Sequence, residues 1–301
     1  MGLIVLIVMA VVAGLPFLRE ARRKPVGEAE RRGAPGGFAH LSQGVTHYQW
    51  IGPARGPVAV AIHGTSISSL IWADIAEGLG KVGYRVLVYD LYGRGLSDAP
   101  KGAQDRAFFL RQLTDLLADQ KLGQDLTLIG YALGGAIATA FTSDHPERVK
   151  RMILLAPMGM GHTEGRFERF IRTTPVIGDW FFFRMFGPQL RAGLAAAPNR
   201  FGPAQLQELD HQGFMPAVLS TARGMDQENQ ESDHRAIGRA DVPVIAIWAQ
   251  LDPAVPLSGL GTLSQWNRNA RQEVIEGAAR GLPFTHATEV LKVLKDVLRE
   301  T

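Results

Sequence analysis

The chain opens on an unbroken apolar run, Met1 to Leu18, that contains no charged side chain. At about 1.5 Å of rise per helical residue those positions span about 27 Å, the short end of a bilayer crossing. From about Gly36 the pattern changes to short β-rich runs alternating with amphipathic helical stretches. The runs predict strands at Val45–Ile51, Val58–Ile62, Arg85–Tyr89, Leu126–Tyr131, Val149–Leu155, Val244–Trp248 and Gln272–Ile275. Helices are predicted near Ile71–Val82, Arg106–Asp119, Leu133–Ser143, Ser258–Asn267 and Ala287–Arg299. Such alternation predicts an α/β fold, a mostly parallel sheet with helices on both faces. The segment 159–240 breaks the rhythm with aromatic and Gly/Pro-rich sequence and predicts an inserted helical cap. The domains expected are therefore an anchor at 1–18, a basic linker at 19–36, a core at 37–158 and 241–301, and the cap at 159–240.

Composition refines the two ends of this picture. With 301 residues, 46% hydrophobic and 20% charged, the chain can bury one sizeable core. Arg19, Arg22, Arg23, Lys24, Arg31 and Arg32 stand against Glu20, Glu28 and Glu30, so this short stretch carries the whole formal net charge of +3. A basic excess confined to residues beside an apolar run suits anionic lipid headgroups better than nucleic acid. A solvated linker whose charges merely stop translocation is an equal reading. Either way, the positive-inside rule leaves the domain facing the cytoplasm, at a bacterial-type inner membrane. A cleaved signal peptide, giving a secreted or periplasmic protein, is the competing expectation, although no Lys or Arg precedes the apolar run. The chain has no cysteine, which excludes disulfides and thiolate catalysis, and its histidines show no metal-like spacing, so no cofactor or metal is expected.

The most informative local motif is Leu128-Ile129-Gly130-Tyr131-Ala132-Leu133-Gly134-Gly135. It has the layout of a nucleophile elbow, apolar strand then Gly-x-nucleophile-x-Gly then helix, with alanine where the nucleophile should stand. His63-Gly64-Thr65 follows a strand, with Ser68 and Trp72 downstream. Asp90-Leu91-Tyr92-Gly93-Arg94-Gly95-Leu96-Ser97 follows another, and Trp248-Ala249-Gln250-Leu251-Asp252-Pro253 a third.

Together and in this order, these motifs resemble the α/β-hydrolase superfamily of lipases, esterases and C–C hydrolases, from about His40 to the C-terminus. The resemblance implies a serine ester hydrolase. It places Ala132 at the nucleophile, Asp252 at the acid, and Arg280, within Gly277-Ala278-Ala279-Arg280-Gly281, at the catalytic base. It also implies an oxyanion hole at Thr65 and Leu133, and a pocket lined by His63, Gly64, Ser66, Tyr131, Trp180 and Phe182. His63 is expected to pack beneath the oxyanion loop rather than to catalyse. The run Trp180-Phe181-Phe182-Phe183-Arg184-Met185-Phe186 either lines an acyl-chain tunnel or touches the bilayer, or it packs the core of the cap, two readings of equal standing.

A methyl group cannot attack a carbonyl, and an arginine cannot accept a serine's proton. The family activity implied is hydrolysis of a lipophilic carboxylic ester, and this chain is expected not to perform it. Asp252 is left to pair with Arg280 as a structural salt bridge. His286 would need a re-routed loop to serve as the base, and Thr65 and Ser66 have no basic partner to make either a substitute nucleophile. Two origins remain open: a disabled variant of an enzyme, or a natural pseudohydrolase that binds a ligand or scaffolds. The partners expected are a small lipophilic ester or acyl ligand and membrane lipid; the sequence points to no particular protein partner.

Overall fold

The computed structural model describes residues 1–160, 164–196, 199–225 and 229–299. Its frame is one eight-stranded sheet: β1 (Gly37–Leu41), β2 (Gly44–Ile51), β3 (Val58–Ile62), β4 (Arg85–Tyr89), β5 (Leu126–Tyr131), β6 (Val149–Leu155), β7 (Val244–Ala249) and β8 (Arg271–Ile275). The order across the sheet is β1-β2-β4-β3-β5-β6-β7-β8. The β1–β2 and β2–β4 pairings are antiparallel, and every later neighbour is parallel. Strands β5 and β7 are buried at every position, as strands covered on both faces must be.

Before the sheet come α1 (Gly2–Ala21) and the single turn α2 (Glu28–Arg31). Within the fold lie α3 (Ala73–Gly80), α4 (Arg106–Asp119) and α5 (Leu133–Asp144). The insertion after β6 contains α6 (Arg166–Thr173), α7 (Ile177–Ala196), α8 (Gly202–Glu208), α9 (Phe214–Gly224) and α10 (Glu231–Arg239). The chain closes with α11 (Ser258–Trp266), α12 (Leu282–Thr285) and α13 (Ala287–Arg299). Helices α3 and α13 pack together, while α4 packs on α5 and α10 bridges α5 and α11. Inside the expected 159–240 insertion, α10 thus belongs to the helical layer of the core, and Asp233 on it holds Arg106 of α4 at 2.6 Å.

Two expectations are corrected. The helix expected at Ile71–Val82 begins with a 3-10 turn at Ser69–Trp72 and is α-helical only over Ala73–Gly80. Residues 19–36 do not form a free linker. Helix α1 continues through Arg19 and Glu20, and Glu20 accepts the Gly213 N–H at 2.8 Å. Lys24 O accepts the Gln212 N–H at 2.8 Å, and Arg31 reaches Leu96 O and the Asp98 carboxylate at 3.0 and 2.6 Å. The basic stretch is strapped to the domain by the Glu20 carboxylate, the Lys24 backbone carbonyl and the Arg31 guanidinium, whose partners lie far along the chain.

Candidate active site

The site grows from the joint between β5 and α5. Ala132 sits there at φ 49 and ψ −111, a conformation an L-residue adopts only when its surroundings force it. The forcing comes from its glycine neighbours. A Cβ on Gly130 would lie 2.3 Å from Gly134 O, and one on Gly134 would lie 2.0 Å from Ile62 O. Only hydrogen fits at either place, so strand, turn and helix close onto one another and Ala132 is turned outward.

The same close approach brings the loop after β3 against the first turn of α5. The backbone N–H groups of Thr65 and Leu133 find no acceptor among the described residues. They are the two donors expected for an oxyanion hole. His63 holds this loop from below. Its Nε2 accepts the Leu91 N–H at 2.8 Å, which leaves Nδ1 to donate to Gly64 O at 2.8 Å. Burial pushes its pKa down to about 4, so the ring is neutral and fully used in structure. Gly64 lies under the Tyr131 ring, where an added Cβ would come within 3.1 Å.

The loops after β7 and β8 run side by side. Leu251 N–H donates to Ala278 O at 2.7 Å and Gly277 N–H to the Gln250 side chain at 2.8 Å. The second loop is tied to the elbow, since Gly281 N–H donates to the Tyr131 hydroxyl at 3.1 Å. Burial raises the Tyr131 pKa; the Arg280 charge works against that rise and the Asp252 charge adds to it, so both charges act at this hydroxyl. Ala132, Asp252 and Arg280 therefore come from three separate loops to one end of the sheet.

Their pairing differs from expectation. Asp252 Oδ1 accepts the Ala254 and Val255 N–H groups at 2.9 and 3.3 Å, and no ion pair joins Asp252 to Arg280. The backbone turn occupies one carboxylate oxygen, Oδ1, and the Arg280 side chain stays exposed. His286 stands beyond α12, where its Nδ1 meets Thr285 Oγ1 at 2.9 Å.

The aromatic cap residues are also corrected. Trp180 does not line the space over Ala132: its indole N–H donates to Val12 O on α1 at 3.1 Å. Phe182 stacks on Phe186 at 4.8 Å and packs with Leu209, Phe214, Met215 and Val218 in a small core of the cap itself. Residues two apart on a helix point in nearly opposite directions, so one stripe could not serve one pocket.

The residues that approach the oxyanion loop from the cap carried no sequence signal. Gln205 on α8 donates to Ser66 O at 3.5 Å, and Phe201 meets Phe284 edge-on at 5.8 Å. Arg94 is 1% exposed and binds Thr65 O, Tyr92 O, Gln104, Ala217 O and Thr221, tying the loop to α9. Glu208 is 4% exposed, and burial pushes its pKa up to about 7 against the pull of the Ser68 hydroxyl and the Gly95 N–H. Nearby, burial opposes the charges on Asp90 and His47, but their 2.8 Å contact outweighs it, lowering Asp90 and raising His47. Among the described residues no cluster of side chains suits a metal ion.

This geometry is that of an α/β-hydrolase, and the comparisons agree. The model of the alpha/beta hydrolase fold family matches residues 57–195. The chain is 25% identical over 272 residues to a putative non-heme chloroperoxidase of Synechocystis, covering 84% of this chain and 94% of that one. It is 29% identical over 225 residues to a pimeloyl-[acyl-carrier protein] methyl ester esterase of Shewanella oneidensis, covering 70% and 78%. The crystal structure of an enol-lactonase from Burkholderia xenovorans superposes with a TM-score of 0.73 at 20% identity, over 87% of this chain and 100% of that one. The chain therefore has the α/β-hydrolase fold. Its relatives include esterases, peroxidases and other hydrolases built on that fold.

Proposed function

We propose that this chain is a membrane-anchored α/β-hydrolase-fold protein that binds a lipophilic carboxylic ester or acyl ligand over Ala132 and leaves it intact. The observation that carries this reading is the strained elbow at φ 49 with a methyl group at its tip, beside two unpaired backbone N–H donors. Those donors receive a carbonyl oxygen, but nothing at Ala132 attacks the carbon and nothing at Arg280 removes a proton. Arg280 instead offers an exposed positive charge to a carboxylate or a polarised ester. The change at two triad positions, with Ala279 also replacing a glycine of the superfamily's usual loop, favours a natural pseudohydrolase over an enzyme disabled at one residue. The apolar α1, with mean hydropathy 2.4, and the arginines that follow it support an anchor with the domain on the cytoplasmic side.

The test is to incubate the full chain in micelles with a long-chain p-nitrophenyl ester. Retention of the ester through gel filtration, with no nitrophenol released above a heat-killed control, is expected. Turnover would overturn inactivity, and absence of retention would overturn binding.

A further inference from the structure

Proline 16 lies inside α1, and a proline brings no N–H to the carbonyl four residues earlier. That carbonyl belongs to Val12. In water the gap is filled by solvent, whereas in hydrocarbon an unpaired carbonyl is costly and has to be met by the protein. It is met here by the Trp180 indole N–H, at 3.1 Å, from the first turn of the cap helix α7. One hydrogen bond thus satisfies two polar groups that a bilayer could not.

The surroundings of this bond are apolar on both helices. A groove of about 390 Å³ between them is lined by Val8, Met9, Val12 and Ala13 of α1 and by Val176, Ile177 and Trp180 of the cap. Farther along, Phe17 meets Phe183 edge-on at 5.7 Å. Val176 and Ile177 are 66% and 56% exposed. Val176 holds φ 64, a strained conformation for a β-branched residue that keeps its side chain outward. Phe167 and Phe170 of α6 continue the apolar surface, each packed against Phe181 and each exposed on its other side. The neighbouring charges are paired or at the surface: Asp179 with Arg223, and Glu164 with Arg172 and Arg169. Arginines flanking phenylalanines on a short amphipathic helix suit the headgroup boundary, with stems in the hydrocarbon and guanidinium groups at the phosphates.

We infer that the first turn of α7 and the phenylalanine face of α6 are immersed in the lipid leaflet beside α1, locked to it by the Trp180–Val12 hydrogen bond, with the groove between them filled by a phospholipid acyl chain. The cap that meets the oxyanion loop through Gln205 and Phe201 is then part of the membrane-embedded surface, and an acyl ligand reaches the site laterally from the leaflet. This rests on the anchor reading of α1 in the proposed function.

The experiment uses the full chain in vesicles of phosphatidylcholine and phosphatidylglycerol, with and without bromine on the acyl chains, and compares wild type with Trp180→Phe. Trp72 and Trp248 are buried in the α/β core and Trp50 and Trp266 pack against it, away from α1, so the difference between the two proteins isolates Trp180. Flotation with the vesicles reads the anchor alone, and failure to float would remove the anchor reading itself. Among floated protein, loss of the Trp180 emission in brominated vesicles, with shielding from aqueous acrylamide, is expected. Full emission together with acrylamide quenching would overturn the inference while leaving the anchor in place. A thermal-stability cycle reads the lock separately: Trp180→Phe lowers the melting temperature in vesicles, and adding Pro16→Ala, which returns an N–H to Val12 O, recovers it. Additive losses would show that no such bond is made.

Discussion

Placing a serine at residue 132 and a histidine at residue 280 tests the site most severely. Ala132→Ser adds one oxygen to a Cβ that the elbow already turns outward, and Arg280→His places an imidazole one residue from the Gly281 amide that is held to Tyr131 at 3.1 Å. The acid is ready for it: Asp252 Oδ1 is occupied by the backbone of Ala254 and Val255, and Oδ2 has no hydrogen-bond partner among the described residues. Nucleophile and base act as a unit worth about 10⁶ in turnover in a serine protease, roughly 8 kcal/mol, and removing either costs about as much as removing both. The single substitutions should therefore stay near background. The double variant, even with imperfect alignment, should exceed either single by about 10³ or more. The assay is burst and steady-state release of nitrophenol from a p-nitrophenyl ester in micelles, with near-ultraviolet circular dichroism confirming the fold. If Ala132→Ser alone matches the double variant, a base other than residue 280 serves the site, and Glu208 and His286 become the groups to remove next. If the folded double variant is inert, Arg280 does not occupy the position of the base.

Two further outcomes follow from packing and burial. The Glu208 carboxyl has a folded pKa of about 7, raised from an ordinary 4.5, so its contribution to stability is present at acid pH and lost as pH rises through 7. Glu208→Gln should accordingly gain about 3 kcal/mol relative to wild type between pH 5 and pH 8 in denaturant titrations, and parallel pH profiles would refute the assignment. Gly134→Ala drives a Cβ to within 2.0 Å of Ile62 O, where backbone cannot yield, and should cost about 2 kcal/mol or more despite alanine's better helix propensity. An unchanged denaturation midpoint would mean that the elbow is looser than described.

The parts legible in the sequence were those encoded locally. The elbow is written in consecutive residues, and strands such as Val58–Ile62, a continuous apolar run, and Leu126–Tyr131, apolar but for Thr127, need no partner to be recognised. Strand β1 escaped notice because Gly37–Leu41 is short, begins with glycine and is defined by its antiparallel pairing with β2 rather than by its own composition. Arg31 reads as a solvated charge until the fold brings Leu96 and Asp98 to it. Gln205 and Glu208 sit in an unremarkable polar helix, and their burial against Ser66 and Gly95 is a product of tertiary contact alone. For Trp180 the aromatic run announced an apolar surface, but which side of α7 each ring would take depended on the position of α1.

The strained turn at Ala132 also bears on how such a protein can change over time. The conformation is imposed by Gly130 and Gly134 and by the packing of α5 on the sheet, so it survives whatever side chain occupies the tip. A hydroxyl added to that methyl group would therefore stand in the same geometry, with no refolding required. Serine is a single-nucleotide change from alanine, and histidine is one from arginine in the pyrimidine-ending codons. A lineage carrying this chain stands a short mutational walk from hydrolysis, and variants drawn from a random library should recover activity far more often than a comparable unrelated scaffold would.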